Sequence, residues 1–298
     1  LQTILCGAYV GNTLVTGTFS GELYLWSGAA FTKSVKAHTG SINCIYSRNE
    51  GKGFITGGND GMVFIWDNKY NKVSKVSILE KSINSMSPKV RSICESDSGN
   101  LLIGTRGGEI IEFEGTTPTV LLRGHFDNEL WGLAVHPKKD KYFTCGQDKM
   151  LAIWDVKSRI IEKFTSVPEP VEVMEISPDG KNIALGCKNG DLYIYDANTL
   201  TQKAKKHDRK NPISEIKFSP NGDYLAVGGV DFLIYVYDKS FNMLKKMKGH
   251  VSRVTHMDFS EDSSALQSNS TSYDLLFHDL ESGKQVPGGA SAYKDEKW

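Results

Sequence analysis

The chain repeats itself at a nearly constant spacing, and that spacing limits its fold more than any other feature. Seven times a short β-rich run ends in an aromatic residue or, once, a histidine: Leu23–Trp26, Val63–Trp66, Ile110–Phe113, Leu151–Trp154, Leu192–Tyr195, Ile234–Tyr237 and Leu275–His278. Most of these runs are followed directly by Asp. Their last residues stand 40, 47, 41, 41, 42 and 41 positions apart. A self-similar period of this length belongs to architectures in which each repeat is one supersecondary unit that needs its neighbours to bury its faces.

Within each unit four extended runs can be read, rich in Val, Ile, Tyr and Thr and separated by Gly, Asn, Asp and Pro. The fourth unit is the clearest, with runs over Leu130–Val135, Tyr142–Cys145, Met150–Trp154 and Arg159–Phe164. Ser177-Pro-Asp-Gly180 and Ser219-Pro-Asn-Gly222 are turns, because Pro fixes φ and Gly tolerates positive φ. No amphipathic helix of ten residues or more can be drawn. Four short strands about every 42 residues predict an all-β, seven-bladed β-propeller. The blades fall near 1–37, 38–80, 81–124, 125–166, 167–207, 208–249 and 250–298 of a single domain. The fourth strand of the last blade has to come from Gln285–Tyr293, where Pro287-Gly288-Gly289 weakens it, so that blade is expected to be atypical or incomplete. Leu79–Pro88 accounts for the 47-residue gap and is expected to form a mobile loop.

Composition narrows the function classes. The 298 residues carry 35 Lys+Arg and 35 Asp+Glu, so a chain built throughout for nucleic acid is disfavoured. No stretch approaches the 18 or so apolar residues of a membrane-crossing helix. Leu1 in place of Met, and Trp298 without an obvious stop signal, suggest a piece of a longer protein. The five cysteines (6, 44, 94, 145 and 187) are widely spaced, form no CxxC pair and each lie in an apolar run, which reads as buried free thiols in a reducing compartment. The seven histidines show no HExxH, and there is no GxSxG or Walker-type spacing. No catalytic set, cofactor or metal site is predicted, and neither a nucleic-acid nor a membrane partner.

Two units carry a polar set at matching offsets: His38, Thr56, Asp60 and Trp66, and His125, Thr144, Asp148 and Trp154. These residues resemble the tetrad of WD repeats, in which a loop His bonds the turn Asp and a strand hydroxyl that also meets the indole N–H. His, Thr and Asp are also the parts of a nucleophile–base–orienter triad. Recurrence at the same offsets in two units suits a buried network that ties strands together. The other units degrade the set: Leu185 and Asn189 occupy the hydroxyl and acid offsets in the fifth, Ile103 and Gly107 in the third, and Val227 the hydroxyl offset beside Asp231 in the sixth. The seventh has Ser268 and Ser272, and the first has Thr16, Ser20 and Trp26.

Gly124–Pro137 (GHFDNELWGLAVHP), followed by Phe143-Thr-Cys-Gly-Gln-Asp148, goes beyond a generic WD repeat. It resembles the echinoderm microtubule-associated-protein-like (EMAP-like) family, whose tandem propellers carry a segment of the form HxDELWGL; here Asn128 is one inserted residue. Leu225–Gly228 with Ile234–Tyr237, and Ser268-Asn-Ser270 before Tyr273, are similar to later stretches of the same family. The resemblance implies a non-enzymatic cytoplasmic and cytoskeletal scaffold whose partner is tubulin or microtubules, with this chain corresponding to part of a double propeller. Two other readings are an adaptor for a ciliary or other cytoplasmic complex, and a hydrolytic or metal-dependent site in a central channel.

A propeller's partner face is formed by the loops before each innermost strand and between the second and third strands. Two rows of residues should ring it: Asn43, Arg91, Trp131, Glu172, Ser214 and Thr255, and Phe19, Asn59, Arg106, Gln147, Lys188, Val230 and Thr271. Arg91, Arg106, Trp131 and Lys188 stand out as candidate anchors. A basic run, Lys203, Lys205, Lys206, Arg209 and Lys210, could attract an acidic partner such as tubulin's acidic tails, or could simply guard an edge strand.

Overall fold

The computed structural model describes residues 2–48, 51–80 and 82–298. Alternating and near-continuous apolar runs fold into strands that pair with their sequence neighbours, so every sheet is an antiparallel meander. Two compact units result, Leu1–Phe126 and Asp127–Trp298.

The first unit holds three sheets. In the first, β1 (Ile4–Val10), β2 (Thr13–Thr18), β3 (Glu22–Ser27) and β4 (Ala30–Lys36) pair in order. The second contains β5 (Ile42–Ser47), β6 (Phe54–Gly58), β7 (Met62–Trp66) and β8 (Lys72–Ser77). The third contains β9 (Val90–Glu95), β10 (Leu101–Thr105), β11 (Ile110–Glu114) and β12 (Thr117–Leu122). One apolar cluster, including Val15, Leu23, Ile42, Phe54 and Trp66, joins the first two sheets. Another, including Ile55, Val63, Ile103 and Phe113, joins the second and third.

The second unit holds four. Its first, the fourth sheet of the chain, has β13 (Leu130–Val135), β14 (Lys141–Gly146), β15 (Met150–Asp155) and β16 (Ile161–Ser166). The fifth has β17 (Val171–Ile176), β18 (Asn182–Cys187), β19 (Leu192–Asp196) and β20 (Gln202–Lys206). The sixth has β21 (Ile213–Phe218), β22 (Tyr224–Gly229), β23 (Ile234–Asp238) and β24 (Met243–Met247). The seventh has only β25 (Val254–Phe259), β26 (Ala265–Ser270) and β27 (Leu275–Asp279). Three further clusters join the fourth to the fifth, the fifth to the sixth and the sixth to the seventh.

These seven sheets match the seven blades of a WD-repeat β-propeller. The expected irregularity of the last is also found: its fourth strand shrinks to one bridge between His278 and Gln285, and the chain then makes a single helical turn, α1 (Gly289–Ala292). Phe277, Tyr293 and Trp298 pack ring against ring where that strand would run.

Four pairs of neighbouring sheets meet through a glycine on the second strand: Gly17, Gly57, Gly186 and Gly228. A Cβ at Gly57 would lie 2.4 Å from Val90, and one at Gly186 2.5 Å from Ile213. The first apolar residue of the next sheet thus rests on bare backbone, which only glycine permits.

Two expectations need correction. The insertion after β8 does not hang free: Ile78 and Ile83 are buried in the core, Ser85 donates to Glu109, and Arg123 donates to the Ile83 and Asn84 carbonyls. Lys81, within it, lies outside the described residues. The thiols are not all buried either. Cys145 and Cys187 are, Cys6 and Cys44 are half-buried, and Cys94 is exposed.

Candidate functional site: clamped sheets with a bulged rim

The polar set of the second sheet is a closed network. Asp60 follows β6 and accepts from the Thr39 and Met62 amides at 3.0 and 3.2 Å, and His38 Nδ1 lies 2.9 Å from its carboxylate. With Nδ1–H donating to Asp60, His38 Nε2 accepts from Thr56 at 2.9 Å, and the Thr56 oxygen accepts the Trp66 indole N–H at 2.9 Å. Burial alone would raise the Asp60 pKa, but the His38 hydrogen bond and the two amides outweigh it and hold the carboxyl below its usual range. Thr56, His38 and Trp66 are all buried, so no substrate can reach the hydroxyl. In the fourth sheet Trp154 donates to Thr144 at 2.6 Å and Asp148 accepts the Met150 amide at 3.1 Å. His125 lies at the end of the first unit.

The degraded sheets are clamped too, by residues that fixed offsets miss. In three of them the acid sits two positions later, directly after the positive-φ residue of the turn (Gly108, Gly190 and Tyr273). Glu109 accepts from Thr105 and Ser85, with Arg123 4.0 Å away. Asp191 is held by His207 at 2.7 Å, Lys205 at 2.9 Å and Tyr193 at 3.1 Å. Asp274 lies 3.0 Å from His250, whose other ring nitrogen is 2.8 Å from Ser268. Burial opposes ionisation of Asp191 and Asp274, yet their hydrogen bonds leave both pKa values lowered. The first sheet has Trp26 donating to Thr16 at 2.9 Å, the Thr18 hydroxyl donating to the Glu22 carbonyl at 2.9 Å and Lys36 donating to the Ser20 carbonyl.

The sixth sheet corrects the reading of Arg209. Instead of joining an exposed basic run, Arg209 is buried, 22 positions ahead of Asp231, as His38 is ahead of Asp60. Its Nη1 lies 3.2 Å from Asp231, its Nη2 donates to the Val227 carbonyl at 2.8 Å, and its guanidinium stacks 4.0 Å from the Tyr235 ring centre. Val227 has no hydroxyl for a histidine to meet, and arginine's fork reaches the backbone oxygen at that residue instead. Of the rest of the run, Lys203 pairs with Asp196 and Lys205 with Asp191, while Lys206 is half-buried and Lys210 exposed. A register skip at Lys203 breaks the edge of β20, a device that discourages sheet-to-sheet pairing.

Beside the turn that carries the clamp acid lies a recurring bulge. The pairing of first and second strands skips one residue per sheet: Leu5, Asn43, Arg91, Trp131, Glu172, Ser214 and Thr255. Beside it, the residue ahead of the second turn is tied by its amide to the carbonyl two positions before the bulge. Examples are Asn59 to Ser41, Arg106 to Lys89, Gln147 to Glu129 and Lys188 to Pro170, at 2.8–3.1 Å. Each sheet therefore presents two adjacent side chains at its rim, re-aimed outward by the bulge. In the third sheet both are arginines, Arg91 and Arg106, and both are exposed. Trp131 is 56% exposed, with its indole N–H on Glu129. Lys188 is exposed beside half-buried Glu172.

Charges also gather on the innermost strands of the fifth to seventh sheets. Burial pushes Glu215 up to about 7 against the pull of Lys217, with Glu175 and Asp258 adding, and His256 lies 3.2 Å from it. Among the described residues no group of three or more His, Cys, Asp or Glu is placed to hold a metal ion, and no helix is long and apolar enough to cross a membrane.

Comparison with known proteins agrees with this geometry. Residues 130–298 match the model of the echinoderm microtubule-associated protein second beta-propeller, and residues 30–67 match the WD domain, G-beta repeat. Echinoderm microtubule-associated protein-like 2 from Homo sapiens is 34% identical over 305 residues, covering 99% of this chain and 46% of the relative. Echinoderm microtubule-associated protein-like 4 from Homo sapiens is 30% identical over 318 residues, covering 99% and 32%. The 77 kDa echinoderm microtubule-associated protein of Lytechinus variegatus is 32% identical over 305 residues, covering 98% and 44%. The chain thus spans less than half the length of these relatives. With more than half of its residues matching the propeller model, and WD-type clamps in its sheets, the chain belongs to the echinoderm microtubule-associated protein family.

Proposed function

We propose that this chain is a non-enzymatic scaffold that binds tubulin or microtubules through the rim of its sheets, with Arg91 and Arg106 as the main anchors and Trp131 and Lys188 contributing. The observation that carries this reading is a pair of exposed arginines, Arg91 on the bulge and Arg106 on the turn tied to it, in a family whose members are named for microtubule association. Arginine forks suit the carboxylates of an acidic protein surface. The His–Thr–Asp sets are spent on internal hydrogen bonds, which supports a scaffold over a hydrolase. A cytoskeletal, cytoplasmic location follows from the same reading.

The test is binding to soluble tubulin and cosedimentation with polymerised microtubules at two salt concentrations. Wild-type protein is expected to bind more weakly at the higher salt. Arg91→Glu with Arg106→Glu should remove most binding at an unchanged melting temperature. Undiminished binding by that variant would overturn the rim assignment, and no binding by the wild type would overturn the partner.

A further inference from the structure

At the turn ends of the second unit's sheets, away from the rim, three equivalent junctions can be compared. Between the fourth and fifth sheets the space is filled. His136, just after β13, is buried and stacks on Phe143, and a Cβ on Gly180 would lie 2.5 Å from its ring. Ala197 and Leu200, from the turn after β19, are buried in the same core. The junction between the sixth and seventh sheets is closed by buried Leu280, with the Asn221 amide on Ser263.

The junction between the fifth and sixth is open. Ser177 stands where His136 stands, and a Cβ added at Gly222, the counterpart of Gly180, meets nothing within 4 Å. Exposed Lys239 takes the place of Ala197 and Leu280. A cleft of about 250 Å³ remains, lined among others by Ser177, Asp179, Tyr224, Asp238 and Phe241.

One of its charges is reversed as well. The imidazole of His136 is kept neutral first by burial and then by the fields of Lys139, Lys141 and Lys138. In the open cleft the counterpart of Lys138 is Asp179. Burial opposes its ionisation, but Ser177 and the Lys181 amide donate to it at 2.6 and 3.0 Å and hold its pKa below the usual range. Asp238 is lowered mainly by the Asn242 amide. Two carboxylates and two aromatic rings thus surround a space that a planar ring fills one sheet earlier. Lys181, whose exposed Nζ lies 3.4 Å from Asp179, and Lys239 are cations on long stems that an entering guanidinium would displace.

We propose that this cleft is a docking site for an arginine side chain presented by an extended segment of a partner protein. A guanidinium has the flat shape that His136 shows to fit. It can stack on Tyr224 or Phe241 and satisfy Asp179 and Asp238 together.

The test uses the full chain, isotope-labelled, titrated with N-acetyl-arginine methylamide and, separately, with N-acetyl-leucine methylamide while amide shifts are followed. The arginine probe should move amides of 177–182, 221–225 and 238–241, and the leucine probe should not. Ser177→His, which rebuilds the fourth-sheet filling, should abolish the shifts. Asp179→Asn should weaken binding about tenfold, as loss of one hydrogen bond to a charged group implies, and it serves if Ser177→His fails to fold. No shifts with arginine, equal shifts with leucine, or unchanged binding by Asp179→Asn would each overturn the proposal.

Discussion

In the second sheet a histidine bridges Asp60 and Thr56, and Trp66 completes the set. In the sixth, Arg209 reaches from the same sequence distance to Asp231 and to the Val227 carbonyl, with Tyr235 under its guanidinium. The joint being closed is the same, between the segment entering a sheet and the turn after its second strand. What differs is the donor: the His38 imidazole uses the Thr56 hydroxyl for its second nitrogen, whereas the Arg209 guanidinium uses the Val227 carbonyl. The comparison teaches that this joint takes either base opposite its acid rather than one particular tetrad.

The largest effect should come from breaking the sixth clamp. Arg209→Met leaves Asp231 without its partner and should cost about 3 kcal/mol in denaturant unfolding, as removing one side of a buried ion pair does. Thr56→Val should cost about 2 kcal/mol, because it strands both His38 and Trp66. The sixth sheet already has valine there, so Val227→Thr should change stability by much less. Asp191→Asn should cost about 1 kcal/mol.

Acid should reveal the same chemistry. The lowered pKa values of Asp60, Asp191 and Asp274 mean that their contribution is fully present above the ordinary carboxylate range. It is lost as pH falls through the depressed folded-state values. Glu215 has the opposite sign: with a folded pKa of about 7, it costs stability increasingly as pH rises from the ordinary glutamate value toward 7. Glu215→Gln should therefore melt a few degrees higher than wild type at pH 8 and show the smallest difference at pH 4. A gain at pH 4 equal to that at pH 8 would refute the assignment.

Much of this was legible from spacing. The aromatic-tipped period gave the seven sheets, and counting from it placed Arg91, Trp131 and Glu172 at what are bulges, because the skip recurs with the repeat. The acids of the third, fifth and seventh sheets were not found, since the search was held to the turn offset. Reading past the turn would have led two residues on, to Glu109, Asp191 and Asp274. Arg209 was grouped with its lysine neighbours, although its 22-residue distance from Asp231 was visible. The open cleft needed coordinates, because Ser177 in place of His136 means little until Gly222 is seen across from it.

A double-mutant cycle on Arg209→Met and Asp231→Asn, followed by denaturant unfolding, tests the clamp account most directly. The account predicts that the double variant is more stable than Arg209→Met alone, because no uncompensated charge remains buried. Strictly additive losses would contradict it.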